Sequence, residues 1–298
     1  MEYPQYDYAV IGGDMRQVYL AEELAHHQNR VIYYALMAAP DEGRCSDASY
    51  VAPASSLEEA ISSSDCIICP IPFSKNGVHL NQNVLDKDLT LSSLLDLLRE
   101  GQTFFAGCIS GEFRDAARKA GVSVNDLMQD ESLAVYNTIA TAEGAICEAI
   151  QRSPQNLHRS QCAVLGYGKC GSTLVSYLRG MFCYVYACSD QPKERALAGT
   201  VSDRTGSLEE FAACAGEFDF IFNTIPAKVL TAEILNHMKS SVTIIDIASA
   251  PGGVDYAEAR HLGRNAVLCP GLPGKYAPSS SAKAVKRVIE ATMLSNNE

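Results

Sequence analysis

The sequence predicts an α/β protein of two domains, each an open, doubly wound parallel sheet, with a cleft between them. Three observations predict it. Short apolar runs bounded by turn residues alternate with helical patterns along the chain. The length, 298 residues, is long for one domain and comfortable for two, each with its own core. Finally, residues 161–171 join an apolar run to a glycine-spaced turn and a helical pattern, and a second strand–turn–helix–strand unit opens the chain.

The turn reads Gly166, Tyr167, Gly168, Lys169, Cys170, Gly171, and it has the mechanics of a Rossmann-type phosphate corner. Gly166 permits the tight turn, Gly168 lets backbone N–H groups approach a pyrophosphate, and Gly171 lets the helix pack on its strand. The positive helix N-terminus supplies the attraction. Around it, residues 172–179 form an amphipathic helical pattern, Gly180 stops it, and residues 183–188 read as the second strand. The six residues of the turn are therefore candidate cofactor contacts, tight packing being the alternative use of the glycines.

Bulk composition narrows the partners. A net charge of −11 with scattered Lys and Arg argues against a general nucleic-acid partner. No stretch approaches the apolar length of a membrane helix and the N-terminus lacks a signal-peptide pattern, so a cytoplasmic protein is expected. Eleven cysteines, several inside apparent strands, fit a reducing compartment.

In the first half, residues 6–11, 31–34, 66–71 and 103–106 read as strands, with helices over 15–26, 57–61, 91–98 and 113–120. Gly12-Gly13-Asp14 is a degenerate glycine turn, read as structural, with Asp14 and Arg16 facing the cleft. Cys66-x-x-Cys69 has no second pair for zinc, and residues three apart on a strand face opposite sides, so no metal is expected. Residues 73–85 read as a loop carrying Lys75 and His79. Residues 136–138 open a long helix over 141–151, and Asn137 and Thr138 at its N-terminal end are candidate carboxylate binders, helix capping being the alternative. The domains are expected at 1–140 and 141–281, with 141–152 as a connecting helix and 282–298 as a helix packing back on the first domain.

In the second half, three strands, 218–222, 242–247 and 266–269, run into small polar loops at the carboxyl ends where open α/β sheets bind ligands. Those loops nominate Asn223, Thr224, Ile225, Pro226, Ala248 and Ser249 as cofactor contacts, and Gly274 and Lys275 as substrate contacts. Asp246 and Glu143 are the candidate catalytic bases, with helix capping or loop bracing as the other use of each. At the end of the second strand, Cys188, Ser189, Asp190 and Arg195 face the cofactor ribose. Serine with Arg195 suits the 2′-phosphate of NADP and Asp190 suits the diol of NAD, and the balance is read toward NADP.

Several pieces taken together carry a resemblance: Ile11-Gly-Gly-Asp14 with Arg16, residues 136–144, Gly166 to Gly171, Asn223-Thr-Ile-Pro226, and residues 246–253 and 270–274. In these the chain resembles the family of dipicolinate synthase A subunits. The resemblance implies a two-domain fold like that of D-2-hydroxyacid dehydrogenases. It also implies a flavoprotein as partner, action in the mother cell of a sporulating bacterium, and oxidation of a dihydrodipicolinate-pathway intermediate, a small dicarboxylate, to pyridine-2,6-dicarboxylate. The family pattern has Arg-Ser at the ribose corner, and Cys188 departs from it. A homo-oligomer follows by analogy. Two rival readings are a non-catalytic nucleotide-binding scaffold for the flavoprotein, and a D-2-hydroxyacid dehydrogenase, whose Arg, Glu and His set is missing.

Overall fold

The computed structural model describes residues 5–26, 29–45, 50–82 and 89–295; residues 83–85 of the expected loop over 73–85, and 296–298 of the expected C-terminal segment, lie outside these. The chain divides into two compact units, residues 1–134 with 277–298, and residues 135–276.

The first unit runs β1 (Tyr8–Ile11), α1 (Met15–Leu24), β2 (Val31–Tyr34), β3 (Val51–Pro53), α2 (Leu57–Ser62), β4 (Cys66–Ile68), α3 (Leu91–Leu97), β5 (Thr103–Ala106), α4 (Gly111–Lys119) and β6 (Ser123–Asp126). Helix α5 (Glu131–Arg152) carries the boundary. The second unit continues with β7 (Gln161–Leu165), α6 (Lys169–Gly180), β8 (Tyr184–Cys188), α7 (Pro192–Ala198), β9 (Arg204–Gly206), α8 (Leu208–Cys214), β10 (Phe220–Asn223), α9 (Ala232–His237), β11 (Thr243–Asp246), α10 (Tyr256–His261), β12 (Asn265–Leu268) and α11 (Leu272–Tyr276). Helix α12 (Pro278–Ser295) belongs to the first unit.

Both sheets are parallel and six-stranded, in the orders β3-β2-β1-β4-β5-β6 and β9-β8-β7-β10-β11-β12. These are the same doubly wound topology, built twice, and each reverses direction once, between β1 and β4 and between β7 and β10. Alternation along the strands feeds two cores per sheet. In β1, Ala9 and Ile11 pack with Ile67, Phe73 and Phe104 on one face, while Val10 packs with Val18, Leu24 and Phe105 on the other. Cys66 and Cys69 join opposite clusters, as strand geometry requires, and burial pushes both thiols up.

Helix starts follow local chemistry. Ser56, Thr90, Ser110 and Ser207 each accept an N–H of the first turn with their side chains, and Ser207 with Glu210 completes a capping box. Besides short edge strands that the sequence reading does not name, two differences bear on the expected site residues. Helix α5 begins at Glu131, so Asn137 and Thr138 lie about two turns inside it and not at its N-terminal end. Residues 272–276, read as a loop, form the helical turn α11.

Candidate functional site

The second unit's switch point lies between the carboxyl ends of β7 and β10, and the glycine turn sits there. Gly166 follows β7 with φ of +93°, a conformation that favours glycine, and its N–H donates to the Cys188 carbonyl at 2.8 Å. The three glycines differ in what demands them. A Cβ on Gly166 would collide with Thr224 Oγ1, and one on Gly171 would enter the van der Waals shell of the Gly166 carbonyl oxygen. A Cβ on Gly168 would meet nothing within 4 Å. Packing thus explains the first and third glycines and leaves the second without a structural reason.

Gly168 is also the N-cap of α6, with no side chain closing the helix, so the first-turn N–H groups lack an intrahelical acceptor. An exposed, side-chain-free corner facing the positive end of a 12-residue helix fits a pyrophosphate. Tyr167 packs partly on the core beneath this turn, and Lys169 and Cys170 open the helix.

At the end of β8 the side chains diverge. Cys188 points into the core beside Tyr186 and Phe211, where burial pushes its thiol up to about 12. Ser189 and Asp190 follow. Ser189 Oγ donates to Glu194 Oε2 at 2.5 Å and accepts the Gln191 N–H, while Arg195 donates to the Ser189 carbonyl at 2.7 Å. Asp190 is exposed and accepts the Leu208 N–H at 2.9 Å through one carboxylate oxygen. Two carboxylates therefore stand at this corner. Glu194 escaped the sequence reading, although an acidic residue in the first turn of the helix after the second strand was visible there.

Residues 223–226 brace the switch point from the β10 side. The Thr224 hydroxyl donates to the Leu165 carbonyl at 2.9 Å, and the Asn223 amide donates to Ile225 O at 3.0 Å and to Asp246 Oδ1 at 2.9 Å. Asp246 is fully buried. Its Oδ1 also accepts the Ala248 N–H at 3.0 Å, and its Oδ2 accepts the Gly253 N–H at 2.6 Å and the Tyr256 hydroxyl at 2.7 Å. With four donors on two oxygens, the carboxylate ties β10 and α10 to the 248–253 loop. Ser249 stands exposed at the loop's tip. Glu143, the other expected base, is exposed on α5 and receives a weak bond from the Tyr177 hydroxyl at 3.4 Å.

The expected substrate contacts are engaged within the unit. Thr138 Oγ1 bonds Val135 O at 2.6 Å and Thr173 Oγ1 at 2.7 Å, pinning α5 to α6, and Asn137 lies within the same helix. Gly274 is buried in α11 and the ammonium of Lys275 sits 2.5 Å from Glu148 Oε1. Glu148 is 3% exposed and takes further bonds from Tyr276 at 2.7 Å and Arg152 at 2.8 Å. Burial pushes its carboxyl up, but the bonds from Lys275, Tyr276 and Arg152 outweigh that and bring it down to about 2.

A carboxyl held below its ordinary 4.5 stabilises the fold fully above that pH, and the contribution is lost as pH falls toward 2. Because Lys275 and Arg152 are partly wet, we expect about 2 kcal/mol at pH 7. Urea denaturation of Glu148→Gln should show that loss at pH 7, with the gap to wild type closing as pH falls from about 4.5 toward 2. Equal curves at pH 7 would show that the cluster is not stabilising.

Among the described residues no three metal-binding side chains converge, and no helix is long and apolar enough to cross a membrane.

Comparison with known proteins places this geometry. Residues 7–128 match the family described as the N-terminal domain of the dipicolinate synthase A subunit, and residues 134–255 match the NAD binding domain of D-isomer specific 2-hydroxyacid dehydrogenases. The dipicolinate synthase A subunit of Bacillus subtilis (strain 168) is 29% identical over 286 residues, which is 94% of this chain and 93% of the relative. The crystal structure of the dipicolinate synthase A subunit from Bacillus halodurans superposes with a TM-score of 0.82 at 25% identity, covering 97% of each chain. A transhydrogenase from Sinorhizobium meliloti shares the fold, with a TM-score of 0.68 at 16% identity over 96% of this chain and 94% of its own. The second unit matches the NAD binding domain of the dehydrogenase type over residues 134–255, and over nearly its whole length the chain is similar, in sequence and in fold, to the A subunit of dipicolinate synthase.

Proposed function

We propose that this chain is the dinucleotide-binding subunit of a dipicolinate synthase, oxidising a dihydrodipicolinate-pathway intermediate to pyridine-2,6-dicarboxylate in the mother cell of a sporulating bacterium, with a flavoprotein as its partner. The observation that carries the reading is the Gly168 corner, open where packing does not require it to be, on a chain similar throughout to the A subunit of that enzyme. Bound nicotinamide would supply the two-electron acceptor for a ring that becomes aromatic. The chain's own part is to hold it. The N–H groups at Gly168, Lys169 and Cys170 take the pyrophosphate, and residues 223–226 and 248–249 wall the switch point.

The ribose corner supports NAD over NADP. A phosphate bonded to Ser189 would stand close to the Glu194 carboxylate, 2.5 Å from the same hydroxyl, and beside Asp190, whose second oxygen is open to a diol. Like charges at that range repel by several kcal/mol even in a polar protein environment. We expect NAD⁺ to bind more tightly than NADP⁺, and Asp190→Asn with Glu194→Gln to shift the ratio toward NADP⁺ by about tenfold or more, read by fluorescence titration. An unchanged ratio would remove these carboxylates from cofactor choice.

The function is tested by mixing the purified chain with freshly generated dihydrodipicolinate and NAD⁺ or NADP⁺, with and without the flavoprotein, and following dipicolinate absorbance. Product with stoichiometric nicotinamide reduction supports the reading. Product that appears only with the partner and without reduced nicotinamide supports the scaffold alternative, which the engagement of Asp246 and Lys275 inside the fold favours.

A further inference from the structure

We propose that the first unit carries a carboxylate-binding site of its own, at the switch point between β1 and β4. That edge is the topological counterpart of the Gly168 corner, and ligands of open α/β sheets bind at such reversals. Its chemistry is different. The Gly12 and Gly13 N–H groups are spent on the Tyr34 and Asn81 carbonyls at 2.9 Å each, and Asp14 caps α1 by accepting the Arg16 N–H at 3.0 Å. Backbone and helix end are thus closed to a phosphate, and the donors that remain belong to side chains.

The side chains of Arg16 and Gln17 both line one small cavity of about 10 Å³, whose other walls are Asp14, Leu20, Pro70, Ile71 and, from α12, Ala282 and Val285. The Gln17 side chain is buried at 6% exposure, and its amide nitrogen has no hydrogen-bond partner. Arg16 gives Nε and Nη2 to Asp14 at 2.9 and 2.8 Å, and Nη2 also reaches the Ile71 carbonyl, whereas Nη1 has no acceptor among the described residues. A buried amide without a partner is costly in a folded protein. A cavity of that size admits a single oxygen-sized atom. One oxygen of a carboxylate, seated between Gln17 Nε2 and Arg16 Nη1, satisfies both donors, and the rest of the ligand stays toward solvent beside Asp14.

Charge agrees with that assignment. Asp14 offsets Arg16, and the exposed Lys75 lies close enough for its charge to act on the Asp14 carboxyl, so the cluster is net positive by one. The ligand class is a small organic carboxylate. The choice of probe rests on the oxidation proposed above, whereas the site rests on Gln17, Arg16 and Lys75, so binding without dinucleotide tests it apart from turnover.

The test is isothermal titration of the full chain, without dinucleotide, with pyridine-2,6-dicarboxylate and with uncharged pyridine. Pyridine-2,6-dicarboxylate should bind and pyridine should not. Gln17→Leu, which preserves the shape of the buried side chain, should weaken binding about tenfold. Lys75→Ala, an exposed change that leaves the core untouched, should weaken it and flatten its dependence on salt. Wild-type affinity in both variants overturns the site. So does no binding by the wild-type chain together with a higher melting temperature in Gln17→Leu, which would show that the cavity holds water only.

Discussion

Gly168→Ala should abolish measurable dinucleotide binding while leaving the melting temperature within about 2 °C of wild type, and Gly171→Ala should do the reverse damage first. The contrast comes from what surrounds the two positions. Gly168 has an ordinary extended conformation, φ of −77°, which an L-residue adopts without strain, and beyond its own chain neighbours no protein atom lies within 4 Å of the added methyl. Only a ligand pressed against the backbone would feel it. Gly171 lies inside α6, where replacing glycine by alanine normally stabilises a helix by about 0.5–1 kcal/mol. Here the methyl would overlap the Gly166 carbonyl oxygen, so helix and turn must part, and the sign inverts to a loss of about 3 kcal/mol or more. For a unit of this size that is a fall of roughly 10 °C. Thermal melts paired with NAD⁺ titration separate the two variants. A Gly168→Ala chain that binds NAD⁺ as wild type does would move the pyrophosphate away from this corner.

Asp246→Asn should cost about 3 kcal/mol and take cofactor affinity with it. Oδ1 receives the Asn223 amide and the Ala248 N–H, and Oδ2 receives the Gly253 N–H and the Tyr256 hydroxyl. Either orientation of an asparagine amide therefore turns an NH₂ toward a backbone N–H that can only donate. The burial is complete, so no water relieves the conflict, and an unmet donor pair of this kind costs on the order of 2–4 kcal/mol. The 248–253 loop would lose its anchor. A catalytic base would behave otherwise, losing turnover with fold and cofactor affinity intact. Denaturation and titration on the same preparation decide between them, and a wild-type melting temperature for Asp246→Asn would show that the network is not what holds the loop.

The strands that sequence could show are those with a continuous apolar run in the middle of a sheet, such as β7 and β10, because burial on both faces leaves no alternation to misread. The strands it missed, β3, β6 and β9, are edge strands of three or four residues with one neighbour each; β6 and β9, the latter Arg204-Thr-Gly206, carry little apolar content, and β3 is three residues long and ends in a proline. The start of α5 was misplaced for a related reason. Val135, Tyr136 and Ile139 are 52%, 37% and 37% exposed, so their apolar character does not mark a buried face and blurs the helical phase. At the site, the glycine corner was legible since its mechanics are local. The partners of Lys275 and Asp246 were not, since Lys275 meets Glu148 across 127 residues of chain and Asp246 meets Asn223 across 23. A charged residue at a strand end looks the same in sequence whether it faces a ligand or a backbone loop.

Helix α12 has a consequence for the order in which the chain matures. Its Ala282, Ala284, Val285 and Ile289 complete the core that covers Val18, Leu20, Ala21 and Leu24 of α1, and Lys286 ties it to the Glu23 carbonyl at 2.7 Å. The N-terminal sheet is made first but closed last. At ordinary synthesis rates, roughly 10 s or more separate the emergence of residue 134 from that of α12. Through that interval the second unit, contiguous in the chain, has all it needs to fold, while the apolar flank of α1 waits uncovered and open to chaperones. Vectorial folding here runs from the inside of the sequence outward, and a stop codon that removes α12 should strand the N-terminal unit in its nascent, chaperone-bound form while the dinucleotide-binding unit still folds.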